Sequence, residues 1–292
     1  MSPLFPVAAL LLAASPAPPL VIGADGVLCD LTQTLARDQA RVECLIPAGA
    51  DPHSLSLRPS DRRNLALARL VLINGYNLSP SLNSIQSAGP VVKVAEQAVP
   101  NSPARDPHVW HDPSNTAAMA NVVAARLQSL TGSGNVERRK GAAVGVLNDL
   151  GTWIDRQIQT VPSNQRVLVT EHRAFSPFAR RYGVRELPVL DDFATGGVLR
   201  PSSLNSISNA IRPSGAKAIF AEALPPSKTM RRISRNSGVP IASNPLFADG
   251  LAPNRSLIQT ATANVCTFVK AQGGRCDGAG ASALQKRWAA IR

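Results

Sequence analysis

The sequence predicts an α/β fold in which two (β/α) lobes with parallel-type sheets are joined by a single long helix. Short apolar segments alternate with helical patterns in the first part of the 292-residue chain, and the alternation restarts after residue 165. One uninterrupted helical pattern separates the two halves. Strands that alternate with helices are typical of parallel sheets covered by helices. The expected boundaries are 20–135 for the N-terminal lobe, 136–161 for the linking helix and 162–292 for the C-terminal lobe.

The first 19 residues are expected to be a signal peptide. Their apolar run ends in the small residues Ala13-Ala14-Ser15 and is far shorter than the roughly 20 residues that cross a bilayer. No Lys or Arg precedes the run, and no cysteine follows it directly to accept a lipid. We therefore expect a cleaved leader and a soluble protein in the periplasm or another extracytoplasmic space.

The N-terminal lobe is expected to contain three strands with helices between them. Leu20-Val21-Ile22 and Leu70-Val71-Leu72-Ile73 are the clearest strand patterns, and Pro59 suits the first turn of a helix. The predicted strands are 20–24, 41–46 and 70–75, and the predicted helices are 30–38, 59–68 and 112–130.

The linking helix is predicted over 136–160, because apolar residues recur there at steps of three and four and so share one face. These residues are Ala143, Leu147, Leu150, Ile154 and Ile158. In the C-terminal lobe the predicted strands are 166–170, 186–190 and 216–221, and the predicted helices are 174–182, 201–211, 227–237 and 256–271. The Gly/Ala-rich stretch 273–283 is interpreted as low-complexity sequence beyond the final helix.

The formal charge of +12 raises the question of a nucleic-acid partner. The Lys and Arg residues are spread thinly, and they are not interleaved with aromatic side chains, which make up only 4% of the chain. A solvated basic surface is therefore the preferred interpretation, and no nucleic-acid partner is expected.

The four cysteines lie in two local pairs. Neither Cys29 with Cys44 nor Cys266 with Cys276 has the C-x-x-C spacing of thiolate zinc sites and redox motifs. Two local disulfides are the simplest interpretation in an oxidising compartment, and four buried free thiols are the alternative.

Three of the four histidines lie in contexts typical of metal-ligand loops. His53 and His108 each follow Asp-Pro, and proline restrains the loop that presents the imidazole. His172 follows an apolar strand pattern, and Asp249 follows another after a short irregular stretch. Three imidazoles and a carboxylate form a ligand set for a divalent transition metal, and four ligands complete a tetrahedral site. These four residues are therefore the candidate metal ligands.

The candidate ligands come from both halves of the chain. In open α/β sheets, ligands bind beyond the carboxyl ends of the strands, so we expect the metal in the cleft between the lobes. Taken singly, His172 could be a core or helix-capping histidine, and Asp249 could be a turn residue.

Other polar residues are candidates for supporting roles. Asp51 and Asp106 are placed to accept the second ring N–H of the neighbouring histidines. Glu171 and Glu222 also end strand patterns, and His111 is interpreted as a surface or outer-sphere residue. The polar stretches 191–192 and 195–197 are expected to line the cleft.

Together these motifs resemble those of the zinc/manganese solute-binding proteins of bacterial ABC importers. The matching stretches run in family order over nearly all of the chain after the leader. They include Asp51-Pro52-His53-Ser54, Asp106-Pro107-His108-Val109-Trp110, His172-Arg173-Ala174-Phe175, Ile219-Phe220-Ala221-Glu222 and Leu246-Phe247-Ala248-Asp249.

The resemblance implies that His53, His108, His172 and Asp249 bind the metal and that the linking helix is rigid. It also implies a receptor, expected to be monomeric, that delivers its metal to a membrane permease and performs no chemistry.

The chain departs from the family pattern in three places. Many members have leucine where this chain has His111, so a further imidazole lies near the expected site. The stretch 96–105 has no histidine, although many zinc receptors carry a histidine-rich loop there. Asn244-Pro245 lengthens the connection before the Asp249 motif.

Zn²⁺ is the expected cargo because nitrogen ligands bind it more tightly than Mn²⁺. A Mn²⁺ receptor of the same family is an alternative, although such receptors favour a carboxylate at the position of His172. A zinc hydrolase is a second alternative, since three histidines and an open position describe catalytic zinc. A fourth ligand at Asp249 and the absence of H-E-x-x-H argue against it.

Acidification is predicted to release the metal. Imidazoles must be neutral to bind, so affinity should fall below about pH 6.5, the reference pKa of histidine. A zinc competition titration at decreasing pH measures this, and an affinity that stays constant well into the acid range would contradict it.

Overall fold

The computed structural model describes residues 17–193 and 201–291 and forms two lobes around one long helix. In the N-terminal lobe, four parallel strands form a sheet in the order β2-β1-β3-β4. These strands are β1 (Leu20–Gly23), β2 (Arg41–Cys44), β3 (Leu70–Ile73) and β4 (Val91–Lys93). The three predicted strands are confirmed, and β4 is an additional short edge strand. β1 and β3 are buried along their whole length, as is typical of central parallel strands.

Four helices pack against this sheet. They are α1 (Gly26–Ala36), α2 (Pro59–Leu67), α3 (Val94–Ala98) and α4 (Pro113–Thr131). Helix α1 begins at Gly26 rather than at residue 30, because the Asp25 carboxylate accepts the N–H of Leu28 at 2.9 Å and caps the helix there. Helix α4 follows Asp112, which accepts the N–H of Ser114 in the same way.

The predicted linking helix is confirmed as α5 (Gly134–Gln159). Its 26 residues span about 39 Å. The predicted apolar face, from Ala143 to Ile158, is buried at every position. Helix α5 packs against α1 and α4 on one side and against the helices near the C-terminus on the other, so it contacts both lobes along its length.

The sheet of the C-terminal lobe is less regular than predicted. Strands β5 (Val167–His172) and β6 (Arg185–Leu190) are parallel partners. The predicted strand over 216–221 is wrong as a regular strand, because only Ile219 forms β-bridges, one with Val169 and one with Ile241. Pro240 precedes Ile241 and has no N–H to donate, so the ladder does not continue on that side.

The C-terminal lobe contains five helices among the described residues. They are α6 (Ser176–Tyr182), α7 (Pro201–Ile211), α8 (Lys228–Ser237), α9 (Leu257–Ala271) and α10 (Gly278–Ala289). The prediction that the helix over 256–271 is the last was wrong. Asp277 caps α10 by accepting the N–H of Gly280, and Ala281, Leu284 and Trp288 are buried at helical spacing in a helix that begins within the Gly/Ala-rich stretch.

The main apolar core is continuous from one lobe to the other. It contains Leu28 of α1, Leu147 of α5 and Phe268 of α9. A polar contact adds to this packing: the Asp30 carboxylate accepts the N–H of Leu257 at 3.1 Å and the Trp288 indole N–H at 3.0 Å. The lobes are therefore packed together through α5, α9 and α10. Within the described part of the chain, no helix has the length and apolar character needed to cross a membrane.

Both predicted disulfides are present. Cys29–Cys44 joins α1 to the end of β2, and Cys266–Cys276 joins α9 to the segment before α10. Each bond restricts the unfolded chain, which stabilises the fold by about 2–4 kcal/mol.

The two disulfides are predicted to contribute additively to stability, since they lie in different lobes. The double variant Cys29→Ser/Cys44→Ser should lose about 2–4 kcal/mol of unfolding free energy in denaturant titration. Cys266→Ser/Cys276→Ser is the matched control and should lose slightly less, because its loop is shorter. Unchanged stability in both variants would contradict the prediction.

Candidate metal centre

The four predicted ligands converge at one point between the lobes. One donor atom from each of His53, His108, His172 and Asp249 lies within 4.8 Å of the others. The Nε2 atoms of His53, His108 and His172 lie 3.1, 3.1 and 3.2 Å from the same Asp249 oxygen, Oδ1. Of the described residues, these are the ones that come together as a metal-binding group.

His53 is presented by the short 3₁₀ turn Pro52–Ser54, which follows β2 and its loop. The Asp51 carboxylate caps this turn by accepting the His53 backbone N–H at 2.8 Å. Pro52 occupies the first position of the turn and restricts its backbone conformation, so the Asp-Pro-His motif forms a compact turn that presents the imidazole to the cleft.

The second Asp-Pro-His motif holds His108 more tightly. Asp106 accepts the His108 backbone N–H and also contacts ring Nδ1, both at 3.0 Å. An ionised carboxylate can only accept, so Nδ1 carries the hydrogen and Nε2 faces Asp249. Asn74, at the end of β3, donates from its side chain to the Pro107 carbonyl at 2.9 Å. His108 and Asp106 are both fully buried.

His172 is the last residue of β5 and is fully buried. Glu222, beyond the neighbouring irregular strand, accepts the His172 backbone N–H at 3.2 Å and contacts its Nδ1 at 2.7 Å. This contact again leaves Nε2 facing Asp249. Glu171 lies beside the site instead and lines the adjoining cavity.

Asp249 lies on a segment that is held by side chains rather than by a strand ladder. Asn264 of α9 donates to the Phe247 carbonyl at 2.9 Å and accepts the Phe247 N–H at 3.0 Å. Gly250 follows with φ 144°, a conformation that favours glycine. Asn264 is not among the residues predicted from the sequence. Its only signal is a polar residue with low helix propensity in the middle of an apolar helix.

The charges of the cluster are strongly coupled. Burial lowers the pKa of His172, but contacts with Asp249 and Glu222 outweigh burial and raise this pKa to about 10. Burial is likewise outweighed at His108, whose pKa is raised by Asp106 and Asp249. Burial opposes ionisation of Asp249, yet the three imidazoles hold its pKa well below the usual range. The cluster therefore favours positive charge between its carboxylates.

His111 lies between the lobes and is half-buried. Its Nε2 is 2.8 Å from the Ala248 carbonyl, and its ring centroid is 4.2 Å from that of Phe175. Burial lowers the pKa of His111 to about 4, so the ring is neutral at neutral pH. It contributes no donor atom to the four-residue group.

A cavity of about 450 Å³ adjoins Asp249, the one member of the four-residue group that lines it. Asp51, Glu171 and Glu222 line it together with the Asp249 segment, so its wall is acidic although the whole chain is basic. Asp191 and Asp192 are exposed, and Asp191 pairs with the Arg173 guanidinium. The predicted cleft-lining stretch 195–197 lies outside the described residues.

Comparison with known proteins identifies relatives that carry names of metal-binding proteins. Residues 22–271 match the family model ZnuA, described as zinc-uptake complex component A, periplasmic. The zinc-binding protein TroA of Treponema pallidum is 27% identical over 280 residues, 89% of this chain and 90% of TroA. The manganese ABC transporter substrate-binding lipoprotein PsaA of Streptococcus pneumoniae is 23% identical over 251 residues, 80% of each chain.

Solved structures agree with the observed fold. Periplasmic TroA superposes with a TM-score of 0.81 at 26% identity and covers 88% of this chain and 100% of its own. Fe(III)-bound YtgA of Chlamydia trachomatis has a TM-score of 0.82 at 23% identity, covering 89% and 99%, and shows the fold alone. Because the family model extends over most of the chain, the protein belongs to the ZnuA family of metal-binding, substrate-binding receptors of ABC importers, which are not enzymes.

Proposed function

We propose that this receptor captures Zn²⁺ with His53, His108, His172 and Asp249. One observation carries the proposal: three Nε2 atoms lie 3.1–3.2 Å from a single carboxylate oxygen. At His108 and His172 a second carboxylate accepts the opposite ring nitrogen, which directs a lone pair of the neutral ring towards the centre.

The dimensions of the group suit zinc. Tetrahedral zinc with ligand bonds of 2.0–2.1 Å places neighbouring donor atoms about 3.3 Å apart. The distances from Asp249 Oδ1 to the three Nε2 atoms are close to this value. A cation would interact directly with the Asp249 carboxylate and, through one imidazole each, with Asp106 and Glu222.

The choice of Zn²⁺ over Mn²⁺ rests on ligand chemistry. Imidazole nitrogen favours Zn²⁺, and Mn²⁺ prefers oxygen ligands and higher coordination. The relatives carry both zinc and manganese in their names, so a Mn²⁺ receptor is the second candidate function.

The proposed transport cycle follows from the family and from the shared core. The lobes, at 20–135 and 162–292, close only slightly around the linking helix at 136–161, because the apolar core continues through both. The receptor then transfers its metal to the permease of an ABC importer in the extracytoplasmic space, after removal of the leader 1–19, and acts as a monomer.

Metal competition tests the proposal directly. Stripped mature protein in equal Zn²⁺ and Mn²⁺ should retain one zinc per chain in native mass spectrometry. His53→Ala and His172→Ala should lose it, whereas Asp155→Asn, an exposed carboxyl on α5, should retain it. Preferential binding of Mn²⁺ would be compatible with the transport role but would refute the choice of Zn²⁺. Wild-type protein without stoichiometric metal would refute the function.

Zinc affinity is predicted to continue rising above pH 7. The pKa of His172 is raised to about 10 in the metal-free cluster, so this imidazole is protonated at neutral pH and must lose its proton to bind. Raising the pH from 7 to 9 weakens that competition steadily, whereas histidines with the reference pKa of 6.5 would give nearly constant affinity. Chelator competition across this range distinguishes the two, and a flat profile would contradict the raised pKa.

A further inference from the structure

The segment that carries Asp249 depends on contacts from two directions. Within its own lobe, Leu246 donates its N–H to the Ala221 carbonyl at 2.9 Å. The Asn264 side chain forms hydrogen bonds with both the N–H and the carbonyl of Phe247. The next carbonyl, that of Ala248, is contacted from the other lobe by His111. The peptide directly before the ligand carboxylate is therefore positioned across the cleft.

The direction of the His111 contact is fixed by its partner. A carbonyl oxygen can only accept, so Nε2 of His111 carries a hydrogen and donates it to Ala248. The lone pair of the neutral ring is then on Nδ1, and His111 contributes no donor atom to the four-residue group. His111 therefore acts on the site through the backbone rather than as a fifth ligand.

The ring of His111 also packs across the lobe boundary. It lies 5.4 Å from the Trp110 ring of its own lobe and 4.2 Å from the Phe175 ring of the C-terminal lobe, measured between centroids. Phe175 follows His172 by three positions, and Ala248 precedes Asp249. One side chain thus contacts both segments that carry the ligands of the C-terminal lobe.

We propose that His111 is an inter-lobe latch that holds the Asp249 segment against the metal and slows metal release. The inference rests on the proposed function and assigns His111 as a positioning residue. A leucine at this position would retain the apolar contact with Phe175 but could not donate to Ala248.

Replacement of His111 tests the latch. In His111→Leu, zinc should still bind one per chain, but its dissociation into excess chelator should be about tenfold faster, as expected for one lost hydrogen bond to the carbonyl of the buried residue Ala248. His111→Gln places an amide N–H near the position of Nε2 and should restore much of the slow release. The visible spectrum of bound Co²⁺ should be the same in all three proteins, because the ligand set is unchanged.

Ser129→Ala is the matched control. Ser129 donates to the Ala125 carbonyl at 3.0 Å near the end of α4 that is far from His111, so its removal deletes one side-chain hydrogen bond in the same lobe without touching the site. Its zinc dissociation rate should stay close to that of wild type. The metal-free His111→Leu protein should unfold at a temperature close to that of this control, whereas a general structural role would lower it.

The outcomes separate the latch from the function on which it rests. Wild-type protein that binds zinc, with equal dissociation rates in wild type and His111→Leu, overturns the latch alone. A changed Co²⁺ spectrum or lost stoichiometry in His111→Leu makes His111 a ligand and also overturns the latch. Wild-type protein that holds no metal overturns both proposals.

Discussion

The site depends on one constraint: three imidazole nitrogens face a single carboxylate oxygen in a region largely closed to water. Nε2 of His108 and of His172 are directed there because Asp106 and Glu222 take the opposite ring nitrogens. Neutral Nε2 atoms and a carboxylate oxygen all present lone pairs, so they repel unless positive charge lies between them. A proton relieves the repulsion partly, which is the physical origin of the raised His172 pKa. A divalent cation relieves it for all four groups.

Meeting that constraint requires a stiff frame. His53 and His108 belong to loops of one lobe, and His172 and Asp249 belong to the other. A core that runs through α1, α5 and α9 fixes the spacing between these loops. The Asp30 carboxylate of α1 strengthens the frame because it accepts hydrogen bonds from Leu257 at the start of α9 and from Trp288 near the end of α10. Since cores of this density deform little, the lobes offer few relative positions to the ligands.

Most of the frame and the candidate metal-binding group could be predicted because their signals are local. Apolar periodicity identified α5 and the strands β1 and β3, and restrained Asp-Pro-His loops identified His53 and His108. Prediction failed where distant contacts decide the structure. Helix α10 begins within a Gly/Ala-rich stretch and is stabilised by Leu284 and Trp288 beyond it, which are buried where α10 packs against α5 and α9. The strand over 216–221 is reduced to one bridging residue because its neighbour contains Pro240. The contact between His111 and the Ala248 carbonyl depends on where Ala248 lies, and no spacing in the sequence provides that.

The four proposed ligands differ in how firmly the protein holds them, and this difference would determine which of them leaves a bound ion first. His108 is fixed by Asp106 and the Asn74 contact with Pro107, and His172 by the strand end and Glu222. Among the four groups Asp249 is the carboxylate and so attracts a cation most strongly. The Ala248 carbonyl directly before it is contacted by His111 of the other lobe. A small displacement of the lobes therefore acts first on the carboxylate. Its withdrawal leaves the cation with three neutral ligands and removes the strongest electrostatic contact, so a modest movement is sufficient to weaken a tightly bound ion.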